Sequence, residues 1–106
     1  MNSSMNMGGS IVSKNILEKK AHIKWCFREE SVNDIDNGWR FLSEIDTNEF
    51  LADSRNMVVC DWRTIFELEP AISLIFDLPV GTELILEYDG SKKSFVNYET
   101  GEKVNL

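Results

Sequence analysis

Residues 25–41, WCFREESVNDIDNGWRF, bring two tryptophans, two phenylalanines, two arginines and four carboxylates into one short run. Aromatic rings and arginine forks are the side chains that anchor recognition. Grouped carboxylates attract a basic surface. The candidate partner-binding residues are therefore Glu29, Glu30, Asp34 and Asp36, which supply attraction, with Arg40 and Arg28 as directional donors. Other chemistry fits the same residues poorly. Paired carboxylates act as acid and base only in a cleft that drives their pKa values apart, and these lie in a polar loop. A calcium loop starting at Asn33 would place Gly38 at its sixth position and Glu44 at its twelfth, but Ile35 stands where an oxygen ligand is needed. His22 is the sole histidine and has no serine or cysteine nucleophile at hand. The run carries no catalytic triad, no metal-ligand spacing and no phosphate loop, so the expectation is binding with no metal requirement.

The elements around this run are legible from periodicity. Residues 22–28 alternate, with Ile23, Trp25 and Phe27 expected to face the core and Lys24, Cys26 and Arg28 to face away. Residues 39–42 resume strand character, and Asp-Asn-Gly at 36–38 marks the turn before them. The two strands predict a hairpin with a long loop that carries the carboxylates. Residues 10–13 read as a short edge strand, with Ser13 capping a helical turn over 14–20. Asp46 and Glu49 fit a capping box before a short helix. Residues 57–60 are continuously apolar and predict a central strand, followed by an Asp61-capped turn with Trp62 and Ile65. Pro70 opens another short helix. Residues 82–88 and 93–98 form a second hairpin about Asp89 and Gly90. Strands and helices mix without regular alternation, which predicts an α+β fold: one small domain, mostly an antiparallel twisted sheet with several short helices.

The whole chain sets the context. Its 106 residues suffice for one core, and residues 1–10 read as a flexible leader before a domain over 11–106. Cys26 and Cys60 lie in apolar runs and read as buried free thiols. The net charge of −7 is uneven. Residues 1–28 carry five basic groups against Glu18, whereas residues 29–89 carry fifteen carboxylates against Arg40, Arg55 and Arg63. Such a middle repels a phosphate backbone and steers a basic protein inward, so the expected partner is a protein and not nucleic acid. With neither a secretory signal nor a run long enough to span a bilayer, the chain reads as cytoplasmic, without membrane contact.

Several blocks carry a family likeness. They are I-V-S-K at 11–14, K-W-x-F-R-E-E at 24–30, D-x-G-W-R-F at 36–41, N-M-V-V-C-D at 56–61, E-P-A-I at 69–72 and L-P-V-G at 78–81. With these blocks the chain resembles the immunity protein 33 family over residues 11–103, most specifically between Arg28 and Phe41. The family is placed by genomic context in bacterial polymorphic toxin systems. The resemblance implies a protein that binds a cognate toxin and neutralises it, without enzymatic activity or cofactor; the acidic surface adds the expectation that it acts by occlusion, covering the active site of a basic toxin domain. It carries over no toxin-contacting residues. The alternatives from other classes are a small-molecule-binding or regulatory module, which needs a deep apolar pocket, and a small hydrolase, which needs a titratable group of strongly shifted pKa in a cleft.

Overall fold

The computed structural model describes residues 7–106. Six strands form one mixed sheet: β1 (Gly9–Ser13), β2 (Ile23–Arg28), β3 (Asp36–Ser43), β4 (Met57–Asp61), β5 (Glu83–Asp89) and β6 (Lys92–Asn97). Their spatial order is β4-β1-β3-β2-β5-β6. Only β1 and β3 run parallel, so the sheet is mostly antiparallel and the α+β expectation holds. Three short helices join it: α1 (Lys14–Leu17), α2 (Asn48–Ala52) and α3 (Trp62–Leu68), with a 3-10 segment at Pro70–Leu74. No helix among the described residues is long and apolar enough to cross a membrane.

Residues 1–6, most of the expected leader, lie outside the described residues. The strand behind them starts before the expected boundary at residue 11, since Gly9 and Ser10 are buried in β1. Nor is β1 an edge: it lies between β4 and β3, and β4, expected at the centre, is an edge strand, as is β6. The apolar character of β4 was misleading because none of its five residues is buried: three are partly covered and two are exposed, Val59 at 75%.

The core lies between one sheet face and the layer of α3 and the 3-10 segment. Val12, Cys26, Trp39, Phe41, Leu84, Leu86 and Phe95 meet Trp62, Ile65, Ile72 and Ile75 there. Successive ring contacts join Trp39, Phe41, Trp62 and Phe76, with centroids 4.8–6.2 Å apart. The Trp39 indole donates to the Phe76 carbonyl at 3.1 Å, which satisfies its one polar atom. Caps fix the helices locally: Ser13, Asp61 and Glu69 accept from backbone N–H groups at the starts of α1, α3 and the 3-10 segment.

Two local expectations are corrected. Thr47, not Asp46, caps α2. Asp46 instead ties β3 to β1, accepting from Ser43 N at 2.7 Å and from Ser13 Oγ and Asn15 Nδ2 at 2.8 Å. The second concerns β2. Its pairing with β3 slips between Ile23 and Trp25. The bulge adds a residue and flips the faces beyond it. Cys26 is therefore fully buried and pairs with Phe41, while Trp25 and Phe27 turn to the opposite face beside Leu42 and Arg40. Trp25 and Phe27 are half-buried there, not core residues.

Candidate functional site

The loop between β2 and β3 is held by an internal ion cluster. Arg40 reaches it from β3, at a position 4% exposed. Its guanidinium grips Asp36 with two parallel bonds, Nη1 to Oδ1 at 2.8 Å and Nη2 to Oδ2 at 2.9 Å. Nε donates to Glu29 Oε2 at 2.9 Å. The same Asp36 carboxylate accepts from the backbone N–H groups of Val32 and Gly38, each at 2.9 Å. Hydrogen bonding from Arg40, aided by those two N–H groups and opposed by burial, holds the Asp36 carboxyl well below the usual carboxylate range. A buried carboxylate with this many donors stays charged.

The rest of the loop is braced by backbone geometry. Asn33 Oδ1 accepts from Ile35 N and Asp36 N, each at 2.9 Å, an Asx turn that sets the loop tip. Gly9 N of β1 donates to the Ile35 carbonyl at 3.0 Å. Gly38 has φ of 88°, and a Cβ there would run into the Glu29 carbonyl. That position needs glycine for both reasons. Arg28 lies on the core side of the hairpin. Its guanidinium donates to the carbonyls of Asn37, Phe76 and Leu78 at 2.7–3.2 Å and stands 5.7 Å from the Trp39 ring centroid.

The six candidate residues thus fall into two sets. Arg40, Asp36 and Arg28 make their bonds within the chain and shape the loop. Glu30 and Asp34 are exposed, with no hydrogen bond or ion pair among the described residues. Glu29 belongs to both sets, since its side chain remains 57% exposed while touching Arg40. The structure adds three residues that charge reasoning passed over. Val32, Ile35 and Val59 are 74%, 70% and 75% exposed. They line a shallow depression of about 140 Å³ with Gly9 and Ile11. The available signal was an isolated valine and isoleucine inside a polar turn-forming segment, where no core needs them.

Beyond this loop, the other titratable groups described are held in structural contacts. Burial pushes both the Cys26 and the Cys60 thiol up, away from the thiolate. The buried Glu69 accepts from Lys93 Nζ at 2.7 Å and from the Tyr88 hydroxyl at 2.9 Å. Burial raises its pKa, but these donors outweigh it and the net shift is downward, the wrong direction for a general acid. His22 is exposed and packs its ring against Tyr88 at 5.2 Å. Among the described residues no group of three or more histidine, cysteine or acidic side chains could hold a metal ion.

Fold and site together describe a small α+β domain that displays a braced acidic loop at one end of its sheet. A family model for the immunity protein Imm33 domain matches residues 10–96, and the chain belongs to that family. The match agrees with the blocks read in the sequence. No curated protein and no solved structure matches the chain.

Proposed function

We propose that this chain acts as a cytoplasmic, non-enzymatic immunity protein that binds a cognate protein toxin and neutralises it by occlusion. Membership of the Imm33 family supports the immunity role. The observation that carries the surface assignment is the Arg40 clasp. It holds the loop in one shape while leaving Glu29, Glu30 and Asp34 in water beside Val32, Ile35 and Val59. A loop ordered before contact loses little entropy on binding. The exposed carboxylates steer a basic toxin surface toward it, and the apolar side chains give that surface something to bury. Arg40, Asp36 and Arg28 are positioning residues in this reading.

The test is direct binding to a toxin domain encoded by a gene adjacent to this one, identified by sequencing the neighbouring genes, with growth rescue as the functional readout. A nanomolar complex whose formation protects cells from that toxin is the expected result. Absence of both binding and rescue would remove the reading.

A further inference from the structure

The sheet face opposite the core carries a second feature, continuous with the loop. Phe27 pairs with Arg40, and Trp25 pairs with Leu42 and Ile85, on the face that α3 does not cover. Trp25, Phe27 and Leu42 border an open groove of about 320 Å³ that also receives Leu51 of α2 and Tyr98. Two carboxylates line it, Asp46 and Glu83, and no lysine or arginine does. Asp46 is occupied by Ser43, Ser13 and Asn15. Glu83 is exposed and its carboxylate has no hydrogen bond or ion pair among the described residues. The Trp25 ring already attracts a cation from within the chain, since Lys24 Nζ lies 5.8 Å from its centroid.

From this arrangement we infer that the groove is a slot for an arginine side chain of the toxin. The aliphatic stem would lie along Trp25 and Phe27, and the planar guanidinium would meet the Glu83 carboxylate. Arginine suits the slot better than lysine. Its planar head stacks on aromatic faces, is weakly hydrated, and fits a carboxylate with two parallel bonds. Charge complementarity selects the occupant: a groove with aromatic and aliphatic walls, two lining carboxylates and, apart from Lys24 at the Trp25 ring, no basic side chain favours a cation with an apolar stem. The inference rests on the toxin-binding reading and adds a second contact to the loop, through the Phe27–Arg40 pair.

The test has an arm that needs no toxin. The 15N-labelled protein is titrated with the peptide acetyl-Gly-Arg-Gly-amide and with its citrulline counterpart, which keeps the shape and lacks the charge. The slot predicts saturable shifts at the Trp25 indole N–H and the Glu83 amide with the arginine peptide. It predicts at least tenfold weaker binding for the citrulline peptide and for Glu83→Gln. Equal responses to the two peptides, or shifts centred elsewhere, would overturn the slot whatever the toxin does. In the second arm the adjacent-gene toxin domain is bound to Glu83→Gln and Trp25→Ala, each checked for native near-ultraviolet circular dichroism. A tenfold or greater rise in Kd, carried by dissociation, supports the slot. Native variants that bind like wild type would overturn it and leave the immunity reading standing. Failure of the wild-type chain itself to bind would instead count against the immunity reading.

Discussion

Arg40 is the residue on which the loop depends. Removing the guanidinium while leaving Asp36 strands a nearly buried carboxylate, since the two side chains are only 4% and 8% exposed. Arg40→Met should therefore cost about 3–5 kcal/mol in urea unfolding, and the double variant Asp36→Asn with Arg40→Met should recover part of that loss. The pH dependence has a definite sign. The native pKa of Asp36 lies below its unfolded value, so the folded state binds fewer protons in acid. Its contribution is complete above the unfolded value of about 3.9 and is lost as pH falls from there toward the native value. Asp46 and Glu69 are also lowered and act in the same direction. Unfolding midpoints followed from pH 6 to pH 2 should fall less steeply in the double variant than in the wild type. The charges of this cluster were legible in the sequence, but their division of labour was not. Arg40 lies beneath the surface because β1, distant in sequence, pairs alongside it at Ile11.

At the scale of elements, the same aromatic type does different work on the two faces of one hairpin. Trp39 is fully buried in the ring chain, so Trp39→Ala should cost about 3–5 kcal/mol through transfer loss and cavity formation. Trp25 is half-buried on the other face and should cost clearly less by the same measurement. Gly38→Ala should destabilise by more than about 1 kcal/mol, because it combines a positive φ with a clash against the Glu29 carbonyl. Periodicity found both strands of this hairpin, the second hairpin and most helix caps, since those signals are local. It misassigned the face of Trp25 because a bulge is decided by pairing to β3 and by no feature of residues 23–28 alone. It also misplaced the edge strand. Strand order depends on which distant segments meet, and the four continuous apolar residues at 57–60 of β4 read alike at an edge or a centre.

For the whole molecule, net charge and shape act together. The −7 charge is concentrated in the middle of the sequence, and the exposed members of the loop lie at one end of the sheet beside an apolar depression. That arrangement suits fast capture of a basic protein, where charge governs encounter and apolar contact governs residence. Exposed carboxylates without partners contribute little to stability, about 0–1 kcal/mol each, so their removal separates binding from folding. The most direct measurement is the association rate of the adjacent-gene toxin domain with wild type and with the double variant Glu30→Gln, Asp34→Asn, across a range of salt. The variant should unfold at the wild-type urea midpoint, associate several-fold more slowly at low salt, and approach the wild-type rate as salt rises. A normally folded variant whose capture rate and salt dependence match the wild type would contradict the assignment of this loop to toxin recognition.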